Sequence, residues 1–139
     1  MIALIPAKKV SKRLKNKNLI RLNNKPLIWY TINEAKKSES ISRIIVSTDC
    51  NKIKKLSIKY GAEVLFKRPK KFCSDKATLL DVCKHTVNWI DKNEKIKKIS
   101  SLIVLQPTSP LRKFYDINNF VKIFKKKKAE LVTSFCVAK

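Results

Sequence analysis

Apolar residues arrive in short unbroken runs at 2–5, 44–46 and 102–105, each bounded by polar, charged or proline positions. Runs of this kind predict strands buried on both faces of a parallel sheet. Two further strands are predicted at 63–66 and from Leu131 to Val137. Between the runs the apolar residues change to helical spacing. Leu27, Ile28, Thr31, Ile32 and Ala35 make one face, and Ile53, Leu56 and Tyr60 a second. Val82, Val87, Trp89 and Ile90 mark a third helix, and Ile117, Phe120, Val121 and Phe124 a fourth.

Boundary residues agree with these elements. Pro26 suits the first turn of its helix, where the donor it lacks has no partner anyway. Ser47, Thr48 and Asp49 can cap the second helix through a side-chain oxygen. Gly61, the single glycine in the chain, is placed to end that helix in a left-handed conformation. Thr78 with Asp81 three residues on reads as a capping box opening the third helix. Strands alternating with helices predict one α/β domain over residues 1–139: a mainly parallel, Rossmann-like sheet with helices on both faces. In such sheets ligands bind beyond the carboxyl ends of the strands, which selects the loops after Ile5, Val46 and Leu105.

Charge adds a second theme. Thirty-three Lys and Arg against ten Asp and Glu give a formal charge of +23, which attracts polyanions of any kind. The joint abundance of Lys, Ile and Asn offers a competing origin in an A+T-rich coding sequence. A nucleic-acid binder is accordingly a second function class, but the basic runs lack the interleaved aromatic residues that a single-strand platform uses, so nucleic acid is not the expected partner.

The four cysteines, Cys50, Cys73, Cys83 and Cys136, form no CxxC pair, and the single histidine, His85, lies near Cys83 alone. That spacing argues against zinc and for reduced thiols in a cytoplasmic protein, with Cys50, Cys83 and Cys136 as small buried hydrophobes. No segment has the ~20 apolar residues of a membrane span, and the start MIALIPA has its positive charges on the wrong side of its apolar run for a secretory signal. A soluble protein without a membrane partner is expected.

The first loop, PAKKVSKRLKNKN, is delivered by a buried strand to the sheet edge and offers Lys8, Ser11, Lys12 and Lys17. Ammonium groups, backbone donors and a hydroxyl in that place suit a phosphate cradle. A solvated lysine-rich loop is the alternative. Neither Walker nor dinucleotide-binding glycine spacing is present.

Ile5-Pro6-Ala7-Lys8, Ser11-Lys12-Arg13-Leu14 and Lys17-Asn18 closely resemble the amino-terminal signature of acylneuraminate cytidylyltransferases, the CMP-sialic, CMP-legionaminic and CMP-pseudaminic acid synthetases. Lys25-Pro26-Leu27-Ile28, Val46-Ser47-Thr48-Asp49, Tyr60 to Val64, Arg68-Pro69 with Ser74-Asp75, and Leu105 to Arg112 continue the resemblance in order over essentially the whole chain. It implies a nucleotide-diphospho-sugar transferase-like fold and transfer of CMP from CTP to a nine-carbon 2-keto sugar acid, with release of pyrophosphate. By position it puts Lys8, Ser11, Lys12 and Lys17 on the phosphates, Asn18 and Arg68 on cytidine with Thr78 beside them, and Gln106 on the sugar. Read without the resemblance, Asn18 is a turn residue, Arg68 a surface charge, Gln106 a loop residue bonding its own backbone and Thr78 a helix cap.

Mg²⁺ and a homodimer are further implications. The family's metal-binding aspartates and dimerisation segment would fall past Lys139, so the chain reads as an amino-terminal, truncated part, either weakly active or inactive alone, and no metal ligand is assigned. Two departures stand out. Lys8 replaces the family's usual arginine, and Val10 its usual glycine, where a β-branched residue resists positive φ.

Overall fold

The structure is a computed structural model that describes residues 1–11, 14, 16–94 and 99–133. Three parallel strands form the sheet: β1 (Ile2–Pro6) in the centre, β4 (Arg43–Ser47) on one side and β5 (Leu102–Val104) on the other. Ala3 pairs with Ile44 and Ile103, and Leu4 with Ile45 and Val104. A short antiparallel hairpin, β2 (Arg21–Leu22) and β3 (Lys25–Pro26), precedes the first helix. Asn23 and Asn24 both take positive φ, 43° and 63°, as a two-residue turn of matching twist requires. Sequence periodicity does not reveal so small a ribbon.

Alternate residues of the strands feed two cores. Ala3, Ile5, Ile44, Val46 and Ile103 pack against α1 (Leu27–Lys37), α2 (Asn51–Lys59) and α4 (Phe114–Lys127), through Ile28, Ile32, Ile53, Ile117 and Val121. Leu4 and Ile45 face the other way, onto Val82 and Ile90 of α3 (Leu79–Asn93). Helices thus cover both faces, as the alternation of strand and helix predicts. The chain runs outward from β1 to β4 and on to Glu63 with its helices on one face, then returns through α3 on the opposite face to reach β5. Crossovers of one hand running in opposite directions require that switch of face. The topological switch therefore falls between β1 and β5, where ligands of such sheets bind.

Several expected boundaries change. The strand expected at 63–66 is reduced to two isolated parallel bridges, Ile45 with Glu63 and Thr48 with Lys67. Four residue steps on this segment oppose three on its neighbour, so one residue is extra and the ladder is interrupted, as at a β-bulge. In consequence Leu65 packs into the α3 core and Phe66 sets its ring against His85 and Trp89 of the same helix. Pro26 occupies the position before α1 and not its first turn. Leu131–Thr133 carry no strand, and the remainder of that expected strand, with Cys136, lies outside the described residues. Gly61 follows α2 with φ of 90°, the conformation expected of it. The Thr78–Asp81 capping box is formed in both directions.

Glu34 joins α1 to α4. Its buried carboxylate accepts from the Phe114 N–H (3.1 Å) at the start of α4, from Lys37 (2.8 Å) and from Asn33 (3.1 Å). Burial pushes this carboxyl up, but Lys37, the Phe114 N–H and Asn33 together outweigh it and hold it below the usual range. A carboxylate at a helix amino terminus, with donors already oriented, stabilises the helix it faces. Glu34→Gln is expected to cost about 1–2 kcal/mol in urea unfolding at pH 7. Because the folded-state value is depressed, this contribution is full above the unfolded value of about 4.3 and disappears as pH falls through the folded one. The gap between wild type and variant should close in acid, and a gap unchanged from pH 7 to 3 would rule the charge out as its source.

Candidate nucleotide site

Three loops meet at the carboxyl end of β1 and β4. Ala7 donates its N–H to the Ser47 carbonyl (2.9 Å), and Lys9 donates its N–H to Asp49 Oδ1 at 2.7 Å. Asp49 was expected to cap α2. Cys50 occupies the cap position with no side-chain bond, and Thr48 Oγ1 accepts the Cys50 N–H instead. The carboxylate instead fastens the first loop to the segment that follows β4. Asn18, 2% exposed, sits in a single 3-10 turn (Lys17–Leu19) and donates from Nδ2 to the Lys8 carbonyl at 3.1 Å. Asn16 just before it takes φ of 53°, which supplies the reversal of the loop. Val10 is exposed and is not among the positive-φ residues. The strain expected from its β-branch does not arise in this conformation.

Arg68 is buried, and its guanidinium donates to the Ser47 hydroxyl (3.0 Å) and to the Ser47 carbonyl. Together with the Arg68 N–H bonded to the Thr48 carbonyl (2.8 Å), this clips the third loop to the end of β4. Burial lowers the guanidinium from its ordinary value, opposed by Cys73 and Asp49. In the same loop, burial and the charge of Asp49 push the Cys73 thiol up, so it is a neutral thiol at pH 7. Lys8 spans the gap between loops. Its ammonium lies 3.3 Å from both the Cys73 carbonyl and Asp75 Oδ1.

Lys8, Asn18 and Arg68 are thus drawn into one bonded unit. Ser11 and Lys17 are half-buried members of the same first loop, while Lys12 lies outside the described residues. Gln106 is exposed on the loop after β5, across the switch point, and its carbonyl accepts from Ser109 N and from Arg112 Nη2, both at 3.4 Å. Thr78 is engaged in its capping box, with its hydroxyl 2.8 Å from Asp81 Oδ2. Asp49 and Asp75 lie in motifs the sequence already pointed to, but their partners, Lys9 N–H and Lys8, and the part played by Ser47 in holding Arg68, come only from the fold. The strand-end segment Val46-Ser47-Thr48-Asp49 was the available signal, read there as a cap.

The arrangement offers ammonium groups, amide donors and one open acceptor. Asn18 Oδ1 is buried with no hydrogen-bond partner among the described residues, and a buried orphan acceptor is costly unless a donor reaches it. A groove of about 500 Å³ runs beside the first loop, bounded by Lys9, Asn16, Asp49, Lys52 and Lys67. A magnesium ion is less well served. Asp49 accepts from the Lys9 N–H, Asp75 pairs with Lys8, and no group of three acidic, cysteine or histidine side chains able to hold a metal occurs among the described residues.

The chain matches the family model described as Cytidylyltransferase over residues 2–139. It is 39% identical over 124 residues to an N-acylneuraminate cytidylyltransferase of Escherichia coli O18:K1:H7, covering 89% of this chain and 28% of the relative. It is also 39% identical over 129 residues to a CMP-N,N'-diacetyllegionaminic acid synthase of Legionella pneumophila, covering 90% and 53%. Among solved structures it superposes on a CMP:2-keto-3-deoxy-manno-octonic acid synthetase complexed with CTP, with TM-score 0.69 and 19% identity, covering 92% of this chain and 48% of the other. The chain therefore spans about half or less of the length of these proteins.

Proposed function

Because this chain belongs to the cytidylyltransferase family, we propose that it forms the nucleotide-binding part of an enzyme transferring CMP from CTP to a sialic-acid-type, nine-carbon 2-keto sugar acid. The anomeric hydroxyl attacks the α-phosphorus in line and loses its proton, the bond from that phosphorus to the β-bridging oxygen breaks, and pyrophosphate leaves. Negative charge on the triphosphate opposes the attack, so oriented cations and N–H donors lower the barrier. Lys8, Ser11, Lys12 and Lys17 take the phosphates in this reading. Asn18 faces the nucleoside with its open acceptor, Arg68 acts on it through the loop it fastens, Thr78 borders it, and Gln106 meets the sugar.

The observation that carries the reading is the first loop: Asn18 bonded to the Lys8 carbonyl, with Oδ1 unfilled, beside the switch point of the sheet. The free thiols Cys50, Cys73 and Cys83 fit the reducing cytoplasm. No helix among the described residues is long and apolar enough to cross a membrane.

Calorimetry with CTP and a pyrophosphate assay on one preparation test the proposal. The assay contains Mg²⁺ and, in separate arms, N-acetylneuraminic, legionaminic, pseudaminic or 2-keto-3-deoxy-manno-octonic acid. CTP binding is expected, with slow release of pyrophosphate in a nine-carbon arm. Release with the eight-carbon acid alone would reassign the sugar, and neither binding nor release in any arm would overturn the function.

A further inference from the structure

The outer flank of α3 and the turn at Lys70–Phe72, within the third loop, enclose a second groove of about 440 Å³. Lys71, Lys84 and Lys92 stand along it, and Phe72, His85 and Trp89 form its aromatic wall. The rings hold one another in place. His85 lies 4.8 Å from Phe72 and 4.6 Å from Phe66, whose ring is 5.5 Å from Trp89. Lys71 lies over the Phe72 ring at 5.0 Å. Asp81, the one carboxylate on the lining, is committed to the capping box at the end of α3.

The groove therefore gathers basic and aromatic residues from two stretches of the chain, Lys71-Phe72 and the Lys84 to Lys92 flank of α3. We propose that this groove binds single-stranded nucleic acid, its lysines on the phosphates and its rings against the bases. Lys84 and Lys92 are eight residues apart on one helix, about 12 Å along the axis, a cationic track with His85 and Trp89 between them on the lining. Single-strand sites combine those two features, because every base has a face to stack while a duplex keeps its faces hidden. An overall charge of +23 draws the strand in but does not choose where it lies.

Fluorescence anisotropy with a labelled twelve-residue oligothymidylate, at 50 to 300 mM salt, separates the groove from net charge. The double variant Lys84→Glu/Lys92→Glu is compared with Lys54→Glu/Lys55→Glu on exposed α2 positions, which changes the total charge equally. The groove variant is expected to weaken binding at least tenfold and to flatten the salt slope by about 1.4, the value for two lost single-strand phosphate contacts. The α2 variant should change affinity less than threefold. Binding should quench tryptophan emission, and Trp89→Phe, which keeps a ring in the cluster, should remove most of that quenching. Equal losses in the two double variants, duplex of the same length bound as tightly as the single strand, or no binding at 50 mM salt would each overturn the proposal.

Discussion

Replacing Arg68 with alanine is expected to cost about 3 kcal/mol of stability, roughly a 10 °C fall in midpoint for a chain of this size. The side chain is 4% exposed and spends its donors on the hydroxyl and carbonyl of Ser47, itself fully buried. Alanine removes a charge-assisted bond to each; the carbonyl keeps the Ala7 N–H, but the buried hydroxyl loses its donor, the situation in which a lost hydrogen bond costs most. Arg68→Lys should recover less than half. A single ammonium on a flexible stem does not reproduce a planar fork that reaches two acceptors of one residue. A functional consequence goes with the structural one. Arg68 clips down the loop whose Cys73 carbonyl and Asp75 hold Lys8, so CTP affinity should fall at temperatures where the variant is still folded. Urea unfolding and calorimetry at 10 °C read the two effects separately. An alanine variant within 0.5 kcal/mol of wild type would show that the clip is not structural.

Lys8→Ala should raise the CTP dissociation constant about tenfold, equivalent to about 1.4 kcal/mol. The ammonium is the one first-loop cation that the described structure holds between loops at the sheet edge, 3.3 Å from Asp75. To meet a phosphate it must exchange that carboxylate for a stronger anion. Asp75→Asn removes the competing charge and is expected to tighten CTP several-fold, an effect opposite in sign. Lys8→Arg should also tighten it, because a guanidinium can hold two phosphate oxygens at once where an ammonium acts as a point charge. Titrations of all three variants at one ionic strength decide the matter. A Lys8→Ala constant within twofold of wild type would remove the first loop from the phosphate site.

Much of the fold was legible before any coordinates. The runs at 2–5, 44–46 and 102–105 became β1, β4 and β5, because a strand buried on both faces has no polar alternation to blur its signal. Thr78 with Asp81, and Gly61, were legible for a different reason: a cap is a contract among residues three or four apart, and its chemistry is written locally. The segment at 63–66 failed as a strand because apolar content records burial and not pairing. Whether four residues oppose three is settled between two segments, and only their assembly shows it.

The same division runs through the functional residues. Sequence by itself determined the fold class, the loops that reach the carboxyl edge of the sheet and, through a resemblance carried by several motifs in order, the family that the comparisons then showed. Tertiary structure decided the partners. Asp49 turned from a helix cap to an anchor 40 residues back, on Lys9. Lys8 was drawn to Cys73 and Asp75, 65 and 67 residues away. Phe72, His85 and Trp89 met lysines from two separate stretches. The physical reason is one of range. Periodicity and capping depend on neighbours within a turn or two of chain, whereas a hydrogen bond or ion pair across such separations exists only once burial of Ala3, Leu4 and Ile5 has fixed the strands that carry its two ends.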